Sequence, residues 1–157
     1  MRFSLALLLV CPIAAFLVGC GSQDDSTPVA CLEGPGAYLA ALDDAPAAVR
    51  VGGQTPIGEC LAENQPGGEL ATVGAALIEA ATELNAEARA EPAGLAALRL
   101  GYLVGAAQRG AERSAGIHAD LLRRLTVAAR YAPGDQPLGP AFMRAYRQGF
   151  DAGHSRG

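Results

Sequence analysis

The chain contains no lysine, and all 12 of its basic side chains are arginine. That absence removes Schiff-base chemistry, a phosphate-loop lysine and a Ser-Lys dyad from consideration. The bias itself reads as the codon usage of a GC-rich genome. Histidine is almost as scarce: His118 and His154 are the only two, and no cysteine pair stands at metal-site spacing, so neither a metal nor a cofactor is expected. There is no nucleophile-elbow pattern, no phosphate-cradling glycine loop between strand and helix, and no nucleic-acid motif. The net charge of −4 also argues against a nucleic-acid partner. Aromatic residues make up only 5% of the sequence, so a core of large interlocking rings is excluded. Alanine dominates instead, which favours thin helices packed at close range.

What is present begins at the N-terminus. Met1-Arg2 carries one charge, and Leu5 to Leu17 forms an apolar stretch of thirteen residues broken only by the turn-prone Pro12. A membrane-spanning helix needs about 20 apolar residues, so this is a signal-peptide core and not an anchor. It is followed by Leu17-Val18-Gly19-Cys20. This stretch resembles the lipobox of bacterial lipoproteins: an apolar residue, two small or middling ones, then an obligatory cysteine. The resemblance covers about the first twenty-one residues. It implies cleavage between Gly19 and Cys20, a diacylglyceryl group on the Cys20 sulfur and acylation of the new amino group, for instance with palmitate. The protein is then held at the cell membrane on its extracytoplasmic face, since two or three acyl chains hold far better than one. Gly21 stands where an aspartate would resemble an inner-membrane retention signal in a two-membrane host.

Export constrains the remaining thiols. Cys11 leaves with residues 1–19 and Cys20 carries lipid, so Cys31 and Cys60 are expected to form a disulfide in an oxidising compartment. Removing nineteen of the 157 residues leaves 138, enough for one domain and its tether. Residues 20–30 read as that tether, because GSQDDSTP has nothing to bury, and its Asp24-Asp25 pair reads as solvation beside a lipid surface. Residues 31–157 read as the folded domain.

Periodicity predicts an all-α bundle of about four main helices with one or two short N-terminal ones. Tyr38, Leu39 and Leu42 mark a short helix after Gly34-Pro35. Residues 47–54 should be irregular or briefly extended, and Thr55-Pro56 should cap a short helix through Ile57, Cys60 and Leu61. A long helix is predicted over 69–91, with Glu79, Glu83 and Glu87 left outside. Pro92 should open the next, whose window 93–107 is apolar nearly all round apart from Arg99, making it the central element. Gly101 and Gly105 on it should admit a close neighbour. A bend over 110–116 with Ser114 as cap should lead to a helix over 118–131, with Leu121, Leu122, Leu125 and Ala129 inward. Pro140 should begin the last helix, where Phe142, Tyr146 and Phe150 form a core seam.

Charge divides the chain. Residues 20–91 hold twelve acidic side chains against Arg50 and Arg89, a net of −10; residues 92–157 hold four against nine arginines, a net of +5. Either the halves pair with each other across the bundle, or Arg123, Arg124, Arg130, Arg144 and Arg147 present a basic face to anionic lipid or cell-wall polymer. Candidates for catalysis are thin. Ser114 and His118, at i and i+4, admit a hydrolase reading, but a capping serine and a surface histidine account for them. Asp151 and His154 make a poor metal pair. The reading is therefore a lipid-anchored envelope protein, not an enzyme, with a binding or scaffolding role toward another envelope protein. A small-molecule or lipid-binding module, with its pocket between the central helix and the aromatic seam, is the alternative.

Overall fold

The computed structural model describes residues 26–92, 94–136 and 138–157. Leu17-Val18-Gly19-Cys20 and Asp24-Asp25 lie outside the described residues. The described chain is an all-α bundle. A short helix α1 (Pro35–Ala41) precedes four long ones: α2 (Gly67–Ala90), α3 (Ala96–Ala111), α4 (Ala119–Arg130) and α5 (Pro140–Arg156).

Proline sets several of the starts. Pro35 and Pro140 occupy first-turn positions, where the missing N–H has no helical partner to lose. The Pro66 carbonyl accepts from the Leu70 amide at 2.9 Å, and α2 begins at Gly67, two residues before the predicted start. Pro92 does not open α3. It lies in a turn where the Gly94 amide bonds the Glu91 carbonyl, and the helix starts at Ala96.

Thr55-Pro56 is a strand and not the cap of the expected short helix, which is present as a 3-10 helix over Ile57–Cys60. Arg50–Val51 (β1) pairs antiparallel with Thr55–Pro56 (β2), Val51 facing Thr55. Gly52 and Gly53, at φ 60° and 75°, turn the chain between them, a conformation that a side chain resists. A 3-10 turn over Ile57–Cys60 follows, without a threonine cap.

Helix α3 is the centre, as its all-round apolar window requires: from Ala96 to Ala107 only Arg99 escapes full burial, and its guanidinium meets Asp43 at 2.9 Å. Helix α5 runs in the same direction against it, with Gly101 and Gly105 under the Tyr146 and Phe150 carbonyls. Gly149 and Gly153 lie reciprocally under the Leu98 and Tyr102 carbonyls. On another side α2 and α4 pack together, also in one direction, since Gly74 meets Leu121 and Asn85 reaches Ala128 and Tyr131.

The N-terminal segment is stapled onto this bundle. Cys31 and Cys60 are bonded and fully buried, with Cα atoms 5.5 Å apart. The buried Tyr38 hydroxyl donates to the Cys31 carbonyl at 2.9 Å, and the Val49 amide donates to the hydroxyl of Tyr102 on α3. Packing starts ahead of Cys31. Thr27 is buried, its amide bonded to Glu69 and its hydroxyl accepting from Gln65, and Val29–Leu32 forms a 3-10 turn.

Candidate functional site

The two candidate catalytic side chains are interior. Ser114 does not cap α4; its Oγ donates to the Ala111 carbonyl at 2.6 Å, and His118 occupies the cap position. His118 is not a surface residue, being fully buried with Nε2 2.9 Å from Gln65 Oε1. The Gln65 amide in turn donates to Thr27 Oγ1 and the Cys60 carbonyl, so the imidazole belongs to a polar plug between the loop before α2 and the start of α4. Burial lowers the His118 pKa, which keeps the ring neutral near pH 7. His154 and Asp151 do not converge either. His154 stacks on Phe150 at 6.0 Å and meets Glu112 at 3.1 Å, an interaction that holds the Glu112 carboxyl below its usual range.

The five arginines of the expected basic face are all exposed, but they fall into two groups. Arg123 and Arg124 border a trough between α2 and α4, while Arg130 and Arg147 border a cleft among α3, α4 and α5. Arg144 lines neither. The opposite-sign halves are hardly cross-linked: among the described residues the ion pairs are Arg99–Asp43, Arg123–Asp120 and His154–Glu112. Glu79, Glu83 and Glu87 are exposed on α2 and enter none of them.

The cleft among α3, α4 and α5 has a volume of about 330 Å³. Its floor is the aromatic seam, where Phe142, Tyr146 and Phe150 stack at 6.2 and 6.5 Å. Phe142 is buried as a core residue should be, yet Tyr146 and Phe150 are only partly covered. Burial raises the Tyr146 pKa, and the charge of Arg130 opposes that shift.

The trough between α2 and α4 is larger, about 520 Å³, and its walls are mostly apolar: Ile78, Ala86, Val127, Ala128, Tyr131 and Pro133. Arg124 also lines a second hollow of about 440 Å³ that continues past Ile117 toward Gly67. Three of the large apolar side chains left in solvent lie along this line: Ile117, Val127 and Tyr131, at 45%, 62% and 64% exposure. One end of the trough is latched. Asn85 Nδ2 donates to the Ala128 and Tyr131 carbonyls, and Arg89 donates through Nε and Nη2 to the Tyr131 carbonyl at 2.9 and 2.6 Å.

No family model, curated protein or solved structure matches the chain. The site must therefore be judged on its own geometry. The trough escaped sequence reasoning because each of its walls is one edge of an amphipathic helix, and the register between α2 and α4 is set by Asn85, a single polar residue in an apolar stripe. That buried asparagine was the available signal. Val127, an apolar residue on the arginine side of α4, was the second.

Proposed function

We propose that this chain is a lipid-anchored protein of the cell envelope, tethered through Cys20 on the extracytoplasmic face, with a non-enzymatic binding role carried by the trough between α2 and α4. The observation that carries the binding reading is the line of exposed apolar side chains, Ile117, Val127 and Tyr131, along a concave surface. Several large apolar side chains exposed along one concave surface mark an interaction site. The anchor rests on the lipobox residues Leu17-Val18-Gly19-Cys20. A hydrolase built on Ser114 and His118 is disfavoured because both side chains are committed to interior hydrogen bonds.

Two measurements test this. Cys20→Ala should move the protein from the membrane to the soluble fraction, and the native N-terminal peptide should carry acyl mass; retention at the membrane without such mass refutes the anchor. A photoreactive benzoylphenylalanine introduced at Val127 should give a discrete adduct in intact cells, lost when Tyr131→Asp is added; no adduct of any mass, with protein or with a small molecule, counts against the binding face. The cleft above the aromatic seam supports a second reading, a small-molecule module, because Arg130 and Arg147 flank it without an acidic partner among the described residues. Saturable binding of a small anion that Arg147→Ser abolishes would favour that site instead.

A further inference from the structure

We propose that the trough between α2 and α4 takes up a single long-chain fatty acid, its carboxylate on Arg124 and its tail running toward Pro133. This rests on the reading of that trough as the binding face and names what binds there.

The volume of about 520 Å³ falls within the span typical of small-molecule sites, roughly 300 to 1,000 Å³. Its walls from Ile78 to Arg89 on α2 cover eleven residues of rise, about 16 Å at 1.5 Å per residue, the scale of one acyl chain. The shape selects a chain with a terminus. At one end Pro133 and the Asn85–Arg89–Tyr131 latch stop the trough. A diacyl lipid would have to lay its second tail in the adjoining hollow, where the Asp120 carboxylate is part of the lining.

Charge selects the head group. Glutamate and aspartate are missing from the lining of the trough, while three guanidinium groups border it. Two of the three are already engaged: Arg123 with Asp120 at 2.6 Å, and Arg89 with Asn85 and the Tyr131 carbonyl. Arg124 is exposed, has no partner among the described residues and stands where the trough meets the second hollow. One unanswered guanidinium matches one monoanion, which it can hold through two parallel N–H donors. A dianionic phosphate would call for more.

The test is calorimetric titration of the full chain carrying Cys20→Ala, so that no acyl group of its own competes, with laurate below its micelle concentration. Expected are saturable one-to-one binding of laurate, at least tenfold weaker binding of dodecanol and dodecyltrimethylammonium, and at least tenfold loss of laurate affinity in Arg124→Gln. Val127→Asp, exposed and outside the core, should abolish binding with an unchanged far-UV spectrum. Three results each overturn the proposal: no saturable laurate binding, laurate binding indifferent to both substitutions, or tighter binding of dodecyl phosphate than of laurate. If laurate fails while the photoreactive group at Val127 still captures a protein in cells, the fatty acid is wrong and the binding face stands. If both fail, the binding face falls as well.

Discussion

The approach of α3 and α5 makes the sharpest quantitative prediction. A Cβ built on Gly149 would lie 1.8 Å from the Leu98 carbonyl oxygen, and on Gly101 2.0 Å from that of Tyr146. Backbone carbonyls in the middle of a helix cannot swing aside as a side chain can, so Gly149→Ala must push the helices apart by roughly 1 Å. A gap of 0.5 to 1 Å forfeits about a quarter to a half of each dispersion contact it opens, and here it opens the whole seam. Overpacking of this kind costs about 1 to 3 kcal/mol, and a backbone contact belongs at or above the upper end. Against it stands the helix propensity of alanine, about 1 kcal/mol better than glycine. The expected net loss for Gly149→Ala is about 2 to 3 kcal/mol, which for a domain of this size is a fall in Tm of roughly 4 to 12 °C. The control is Gly36→Ala in α1, where the added Cβ meets nothing within 4 Å. That change should stabilise by about 0.5 to 1 kcal/mol. The double variant Gly101→Ala/Gly149→Ala should lose less than the sum of its parts, because one separation of the helices relieves both clashes. Denaturant midpoints of the native protein, of the single variants Gly36→Ala, Gly101→Ala and Gly149→Ala, and of the double variant decide it. If Gly149→Ala behaves like Gly36→Ala, the two backbones do not touch and the seam is wrongly placed.

Replacing Cys31 and Cys60 by alanine opens a loop spanned by 29 residues and should cost about 3 to 4 kcal/mol in the chain-entropy model, read as a lowered Tm that reductant reproduces in the native protein. His118 predicts a pH dependence: burial sets its folded pKa below the usual 6.5, so its contribution to stability is complete above that pH and is lost as pH falls through the folded value. Thermal melts between pH 7 and 5 should show stability declining, and His118→Asn should flatten that decline; equal slopes would exclude the imidazole as its source. Arg89→Lys should not be conservative, because an ammonium cannot bond Asn85 and the Tyr131 carbonyl together from a planar fork. A loss of about 1 to 2 kcal/mol is expected, with faster amide exchange at the end of α4.

The helices were legible because their apolar spacing is regular, and Pro35 and Pro140 mark the beginnings of α1 and α5. The central position of α3 followed from a window in which Arg99 is the lone charge, and the disulfide from Cys31 and Cys60 being the pair that the expected cleavage and lipidation would leave. The hairpin at 50–56 was not legible as such. Thr55-Pro56 carries a cap signature, and only the preceding Gly52-Gly53 turn shows why the chain doubles back there instead. His118 misled for a related reason. One histidine beside Asp120 at the start of an amphipathic helix looks solvated, and its partner Gln65 is 53 residues away. The two hollows depended on how helices meet, and single-helix periodicity contains no such information.

The uneven division of charge acquires a different meaning once the arginines are located. Opposite charges in the two halves suggest ion pairing, yet several arginines are bonded to carbonyl oxygens instead. Arg109 donates to the His154 and Ser155 carbonyls at the end of α5, Arg113 to that of Gly58, Arg156 to that of Pro46, and Arg89 to that of Tyr131 after α4. Chain ends and loops offer such acceptors because the last carbonyls of a helix have no partner within it, and the helix dipole makes that end attractive to a cation. A guanidinium can span two carbonyls or a carbonyl and an amide at once, so a chain without lysine has at hand a fork for closing thin, alanine-lined helices that bury little area each. Arginine therefore serves here as structural glue, and Glu79, Glu83 and Glu87 of α2 are left facing solvent. Four exposed arginines, Arg124, Arg130, Arg144 and Arg147, are claimed by neither a carbonyl nor a carboxylate among the described residues, and of these Arg124 is the one that borders the trough between α2 and α4.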